Sequence, residues 1–367
     1  MSGDAVRRAD QVLPTRAGPA GADLTGESPR GAPPVEPGGQ ASPLPKAELH
    51  IHIEGTLEAE MVFDLAARNR TPLPFRDVDD LRARYSFTDL GSFLELYYSC
   101  MAVLRSEEDF ADLADAYLER AASEGVRHAE IFFDPQAHMA RGVPLGVVVD
   151  GLNVALRAGL RRHGVSCGLI ACFLRDQGPE AAMDTLGQLL AHRDAIIGVG
   201  LDSAEVGYPP ALFADVFARA RSEELHCVAH AGEEGPPAYV WEALDVLRVE
   251  RIDHGVRSLE DPDLVARLAD EQVPLTVCPL SNLRLKVVER IEEHPVAAML
   301  EADLAVTVNS DDPAYFGGYV EKNFSLVSHG LGLDGDTLRK LARNSFEAAF
   351  IDKTQRNAYI DELGRPA

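Results

Sequence analysis

The sequence is poor in cysteine and lysine and has no long apolar run, and each shortage excludes a class of protein. No apolar stretch reaches the roughly 18 residues that a membrane span needs. The cysteines include no CxxC pair, so we expect neither a disulfide framework nor a cysteine zinc site, and a reducing cytoplasm fits. They are Cys100, Cys167, Cys172, Cys227 and Cys278.

Basic residues are also scarce. Lys and Arg together number 35 against 59 Asp and Glu, which gives a formal net charge of -24. Such a surface repels phosphate backbones and anionic lipids, so we expect neither nucleic acid nor a membrane surface as a partner. A small molecule held in an internal pocket fits this composition, and the sequence leaves a homo-oligomer open.

Residues 1–44 differ from the rest of the chain. They are rich in Pro, Gly and Ala, with no aromatic residue and few β-branched ones. Such a segment buries too little apolar area to offset its ordering entropy. We predict a disordered tail over 1–44 and a single folded domain over 45–367.

From Lys46 onward, short apolar runs alternate with longer segments of helical periodicity, such as 110–122 and 145–160. Eight strand–helix repeats predict a (β/α)8 TIM barrel. The predicted strands lie at 47–53, 127–134, 167–175, 196–203, 225–232, 251–255, 274–282 and 304–312.

The segment after the first strand, roughly 56–124, is long enough for more than one helix. We predict a helical insertion that caps the barrel mouth. Phe87, Leu90, Phe93 and Leu94 would supply an apolar wall there; ordinary packing is the alternative.

Polar side chains follow the predicted strands, at the end of a barrel where active sites form. His50 and His52 point to the same face of the first strand, because residues i and i+2 do so. His230 would add a third nitrogen ligand and Asp311 an oxygen ligand, a set that suits Zn²⁺ and leaves room for water. Hydrogen-bonded barrel histidines are the alternative, since an HxH pair alone is a weak signal.

Three further residues have the chemistry for proton transfer and substrate contact. Glu233, in a Gly-flanked turn, would act as a proton shuttle, or else is an exposed carboxylate. His254 would be a second acid–base group, or else a core histidine. Asp312 adjoins Asp311, and two buried adjacent carboxylates need a cation or an N–H group to compensate them.

The fourth predicted strand bears on the number of metal ions. Related binuclear barrel hydrolases bridge two metals with a modified lysine there, but no lysine occurs between Lys46 and Lys286. The strand ends instead in Asp202-Ser203-Ala204-Glu205. We therefore predict one zinc ion per chain, with Asp or Glu bridges left open.

Five strings, KAELHIHIEGTLE, VAHAGEEGPP, RIDHG, TVCPLSN and VTVNSDDP, resemble the signature set of the adenosine/adenine deaminase family. The resemblance covers residues 45–352 and implies a (β/α)8 barrel with a catalytic zinc. It implies zinc ligands at His50, His52, His230 and Asp311, protonation of purine N1 by Glu233, activation of water by His254 and a hydrogen bond from Asp312 to N7.

The string GVGLDSAEVGYPP resembles the adenine deaminase branch of that family. A carboxylate at Glu205 suits free adenine, which has a ring N–H at N9 or N3; capping of the next helix is the alternative. Nucleoside-acting members place Asp, which meets the ribose 5′-hydroxyl, where this chain has Glu54. We therefore expect Glu205 and Glu54 at the substrate.

The expected activity is zinc-dependent hydrolytic deamination of a 6-aminopurine, with adenine converted to hypoxanthine and ammonia in cytoplasmic purine salvage. The nearest alternative is deamination of a 6-amino nucleoside, either adenosine or aminodeoxyfutalosine. An amidohydrolase of cyclic amides is disfavoured by the missing lysine, and a non-catalytic purine-binding protein by the full set of chemical groups.

Overall fold

The computed structural model describes residues 43–365. Residues 1–42, which make up most of the segment predicted to be a disordered tail, lie outside the described residues. Leu44, at the end of that segment, packs against the hydrophobic core. The domain boundary therefore stays a prediction.

Eight parallel strands form the centre of the fold, and neighbours in the chain are neighbours in the sheet. Hydrogen bonds beyond the eighth strand return to the first: the Asp311 N–H donates to the His50 carbonyl at 3.1 Å, and the His52 N–H donates to the Asp311 carbonyl at 3.0 Å. The predicted (β/α)8 barrel is confirmed. The strands are β1 Lys46–His52, β2 Val126–Phe133, β3 Ser166–Leu174, β4 Gly198–Asp202, β5 His226–Ala231, β6 Arg251–His254, β7 Leu275–Val277 and β8 Val306–Val308.

The strands β7 and β8 are shorter than their apolar runs predicted. Each run continues into a turn and a short helix with proline at its first position, Pro279 or Pro313. Proline lacks the N–H that a central strand needs, but it suits the first turn of a helix. The apolar pattern alone does not show where pairing ends.

The helices surround the barrel, and the predicted segments 110–122 and 145–160 both lie within helices. The helices are α1 Ala59–Asn69, α2 Val78–Arg82, α3 Leu90–Cys100, α4 Glu107–Ser123, α5 Pro135–Ala140, α6 Leu145–Arg162, α7 Gly178–Leu189, α8 Ala214–Ser222, α9 Pro237–Glu242, α10 Pro262–Glu271, α11 Pro279–Arg284, α12 Val296–Glu301, α13 Pro313–Phe316, α14 Val320–Leu331, α15 Gly335–Ala348 and α16 Lys353–Leu363.

Helix α4 shows how local sequence fixes a boundary. The Ser106 side chain accepts a hydrogen bond from the Asp109 N–H, and the Asp109 side chain accepts one from the Ser106 N–H. This capping box satisfies two N–H groups that have no partner within the helix.

The helices α1, α2 and α3 precede α4, so the predicted insertion after β1 is helical. No helix in residues 43–365 is long and apolar enough to cross a membrane.

Candidate active site

Four side chains converge at the carboxyl end of the barrel. The His52 and His230 Nε2 atoms lie 3.3 Å apart, and Asp311 Oδ1 lies 3.4 Å from His50 Nε2 and 3.5 Å from His52 Nε2. Their ligand atoms all lie within 4.8 Å of one another, so one metal ion can reach all four. The strands β1, β5 and β8 bring together residues that are up to 261 positions apart in the chain, as the sequence predicted.

Hydrogen bonds orient two of these histidines toward the centre of the cluster. His50 Nδ1 lies 2.9 Å from Thr276 Oγ1, which donates its own proton to Asp253 at 2.8 Å, so the histidine is the donor. His230 Nδ1 donates to the Leu201 carbonyl at 3.1 Å. Each ring therefore turns its Nε2 lone pair inward, as partners behind metal-binding histidines generally do.

His50 Nε2 tests whether the cluster fits a metal. This buried atom has no hydrogen-bond partner in the described part of the chain. An unsatisfied buried acceptor costs about 1–3 kcal/mol, which a bound cation would remove. Three imidazole nitrogens and one carboxylate form a donor set that zinc accepts. The residues therefore fit one zinc ion.

The protonation states in the cluster suit metal binding. Burial lowers the pKa of His52 to about 4 and the pKa of His230 well below its usual value. Burial alone would raise the pKa of Asp311, but the surrounding histidines hold it well below its usual value. Neutral imidazole and ionised carboxylate are the forms that bind a metal.

Glu233, His254 and Asp312 lie beside this cluster, as predicted. His254 Nε2 is 3.7 Å from Glu233 Oε2 and 3.8 Å from Asp311 Oδ2. Burial, with Asp311 nearby, raises the pKa values of both Glu233 and Asp312 well above their usual range. Burial lowers the pKa of His254 to about 3. A protonated acid and a neutral base therefore flank the candidate metal site.

Two site residues have strained backbones. His254 has a φ of 111° and Asp311 a φ of 65°, which non-glycine residues seldom adopt. Each such conformation costs about 1–3 kcal/mol and persists where the surrounding structure enforces it, often at functional sites.

These side chains line a partly open cavity at the mouth of the barrel. Leu90, Phe93 and Leu94, from the insertion after β1, line it, which confirms the predicted apolar wall for these three residues. Phe87 packs behind the wall, with its ring centre 5.4 Å from that of Phe93.

Glu205 lies behind the cavity wall, not in it. Its two carboxylate oxygens accept the backbone N–H groups of the whole turn that carries Glu233, at 2.7–3.1 Å. The turn can come this close only because Gly235 has no side chain; a Cβ there would overlap the Glu205 carboxylate. This geometry gives no support to the substrate contact predicted for Glu205.

Glu54 is likewise fully buried away from the cavity. Its Oε1 accepts the Asp134 N–H at 3.1 Å and lies 2.6 Å from His138 Nε2. The substrate contact predicted for Glu54 also has no support in this geometry.

Sequence reasoning missed Asp134 as a site residue, although it follows β2 as the chosen residues follow their strands. It lines the cavity together with Tyr98, Asp202 and Ser203. Burial raises the pKa of Asp202 to about 7 and that of Asp134 well above its usual range. The same strand-end rule would have found Asp134.

Comparison with known proteins agrees with this site. A family model described as adenosine deaminase matches residues 45–366, so the chain belongs to the adenosine deaminase family. The class is that of aminohydrolases acting on C–N bonds of cyclic amidines.

Within the family, the chain lies in the adenine deaminase branch. It is 64% identical over 323 residues to an adenine deaminase of Streptomyces coelicolor, covering 88% of this chain and 95% of the relative. An adenine deaminase of Cupriavidus taiwanensis is 56% identical over 319 residues, covering 87% of this chain and 91% of the relative.

Two crystal structures share the fold. An adenine deaminase from Arthrobacter aurescens superposes with a TM-score of 0.86 at 54% identity, covering 87% of this chain and 98% of the other. An amidohydrolase from Burkholderia ambifaria, solved with bound Zn, gives a TM-score of 0.81 at 28% identity, with 87% and 90% covered.

Proposed function

We propose that this protein catalyses the zinc-dependent hydrolytic deamination of adenine to hypoxanthine and ammonia. The observation that carries the proposal is the convergence of three imidazole nitrogens and one carboxylate on one point beside Glu233 and His254. The adenine deaminases at 54–64% identity support the choice of substrate. The reaction would serve purine salvage, and the free thiols keep the cytoplasm as the proposed compartment.

We assign His50, His52, His230 and Asp311 as the ligands of one zinc ion. Zinc bound there would supply Lewis acidity, lowering the pKa of a coordinated water to roughly 7.

The other residues act on the purine and the water. Glu233, kept protonated by its buried setting, gives its proton to N1, which makes C6 electrophilic. His254, a neutral base, orients the attacking water and takes a proton from it. Asp312 hydrogen-bonds N7 and fixes the plane of the ring. His254 passes the proton taken from the water to the exocyclic nitrogen, the C6–N bond breaks and ammonia leaves. The remaining proton of the water returns to Glu233, and the ring keeps the oxygen at C6 and the proton at N1.

Glu205 contributes by positioning. The four N–H groups that it holds fix the turn at Gly232–Gly235, and Glu233 projects from that turn. Arg175 donates to the His230 carbonyl at 2.9 Å and so holds the other side of the same turn. We infer that Glu205 sets where the proton donor stands and does not itself touch the base.

Ammonia release by the zinc-loaded protein, measured in parallel on adenine, adenosine and aminodeoxyfutalosine, tests the proposal. We expect adenine to have the highest kcat/KM by at least about 100-fold, because a site that hydrogen-bonds a substrate N–H rejects analogues lacking it. A higher kcat/KM on either nucleoside would refute adenine as the substrate while leaving the metal site in place.

A further inference from the structure

We propose that Asp134 is a substrate-binding residue that selects the free base by accepting the N9–H group, which nucleosides lack. This inference rests on the proposed function. It gives a role to a further acidic residue of the cavity wall, beside Glu233 and Asp312.

One side of the Asp134 carboxyl faces Asp202, and its other oxygen is unused within the described residues. The side chain is 2% exposed and lines the cavity, and its Oδ1 has no hydrogen-bond partner within residues 43–365. Buried polar atoms are nearly always hydrogen-bonded, so an unpaired oxygen on a cavity wall indicates that a ligand supplies the donor.

The backbone of Asp134 is held firmly in place. The buried Glu54 carboxylate accepts its N–H, and the same oxygen contacts His138 Nε2. Arg141 Nη2 lies 2.5 Å from the Nδ1 atom of His138 and completes the chain of contacts. A rigid support of this kind is typical of a residue whose position must be accurate. Glu54 therefore serves the substrate indirectly, by fixing Asp134.

The acidic residue beside Asp134 gives a second reason to expect a hydrogen-bond donor from the ligand at this position. Asp134, Asp202 and His52 each place a ligand atom within 4.8 Å of the others, and Asp202 Oδ1 is also unpaired among the described residues. One side of the Asp134 carboxyl contacts Asp202, which leaves Oδ1 as the atom that can accept a hydrogen bond from a ligand. A ring N–H supplies that donor without adding net charge.

The ring of adenine leaves one suitable group. With N1 at Glu233 and N7 at Asp312, the remaining N–H of the 9H tautomer is on N9. In a nucleoside this nitrogen carries the sugar, so Asp134 would lose its donor and remain buried and unpaired. An unsatisfied buried acceptor of this kind is what makes such sites selective.

The test uses the zinc-loaded full chain with adenine and 9-methyladenine. Asp134→Asn keeps the side-chain volume, so steric rejection of the methyl group stays constant in this variant. Asp134→Leu keeps the branched shape but is bulkier, and it removes both acceptor oxygens. We expect kcat/KM for adenine to fall by about 10-fold in the first variant and about 100-fold in the second. The value for 9-methyladenine should stay nearly constant, so that discrimination collapses. Asp176→Asn, an exposed carboxylate on the loop after β3, is the matched control and should change neither value.

Binding gives a second measurement that does not depend on turnover. Calorimetric dissociation constants for hypoxanthine and 9-methylhypoxanthine should differ in the parent protein and converge in both Asp134 variants. Equal losses of affinity for both ligands would overturn the assignment. So would a parent protein that binds two metal ions per chain while the Asp134 variants bind one, because the Asp134–Asp202–His52 group would then be a cation site. If adenine proves not to be a substrate but the constants still converge, the proposed function fails and the Asp134 contact stands.

Discussion

The two ends of the barrel both contain buried charge, but they treat it differently. At the amino end, Arg251 Nη1 lies 2.5 Å from Glu130 Oε2, and its Nη2 donates to the Leu49 carbonyl at 3.1 Å. Lys46 donates to the Glu124 carbonyl and to Glu321 at 2.7 and 2.8 Å. None of these side chains has an unpaired buried atom within the described residues.

The carboxyl end is different. Unpaired buried atoms occur there on many side chains of the described region, namely His50, Glu54, Asp134, Arg175, Asp202, Glu233, His254 and Asp312. Since a buried polar group without a partner is costly, a fold tolerates such a concentration only where ligands complete it. Unpaired buried charge is therefore concentrated at the carboxyl end of the barrel, whereas at the amino end most buried charge is paired, with Asp253 and Arg356 as exceptions among the described residues.

The largest effect should come from removing a ligand of the candidate metal site. His50→Ala should lose the metal and lower turnover by at least about a thousandfold, because the Lewis acid contributes several kcal/mol. His128→Ala removes a buried histidine of the amino end, where both ring nitrogens are paired. It should keep one zinc per chain by metal analysis. Loss of zinc from both variants would show that buried histidines at the two ends of the barrel do not differ in their effect on metal binding, which would contradict the comparison.

Glu233→Gln should come next. The amide keeps the shape but cannot protonate N1, so kcat should fall by about 10²- to 10⁴-fold with zinc content unchanged. Glu234→Gln, one residue further along the same turn and half-buried, is the control and should keep its activity. Substantial turnover by the Glu233 variant would exclude it as the proton donor.

At the paired end, Glu130→Gln should affect stability and not catalysis. It removes the shorter of two carboxylate contacts of the buried Arg251, which keeps only Asp253 at 3.4 Å, and should lower the free energy of unfolding by up to about 3–5 kcal/mol in denaturant titrations. Glu223→Gln breaks the exposed pair with Arg219 and should cost less than about 1 kcal/mol. A loss of turnover in folded Glu130→Gln protein would show that the two ends are coupled.

The smallest effect should be that of Glu205→Gln. Its NH₂ group would face backbone donors, which displaces the turn and lowers kcat by roughly tenfold, while KM and zinc content hold. The loss should be equal on adenine and adenosine, because Glu205 holds the turn and not the base. A loss confined to adenine would return Glu205 to the substrate, as the sequence first indicated.

The sequence predicted the barrel and the metal cluster because both follow from position along strands. Period-2 geometry places His50 and His52 on one face, and parallel strands bring their carboxyl ends together. The roles of Glu205 and Glu54 were harder to predict. Both residues lie past the strand ends, and sequence spacing does not show in which direction such a carboxylate points. Most of their partners are backbone N–H groups, which leave no mark in the sequence; the exception is His138, which contacts Glu54. Asp134 was missed although it stands at the end of the second predicted strand, 127–134, where the rule used for the other site residues applies equally.

The left-handed backbone at His254 and Asp311 has a consequence for how such a chain would drift over generations. Glycine adopts these φ values without strain, so replacing either residue with glycine relieves the backbone strain while removing chemistry. Selection for activity must therefore oppose that relief at these two positions. In a descendant that no longer needs to catalyse, we expect glycine to replace Asp311 before His254, because one base change converts an Asp codon to a Gly codon whereas a His codon needs two. Position 311 then records whether a lineage still depends on the reaction.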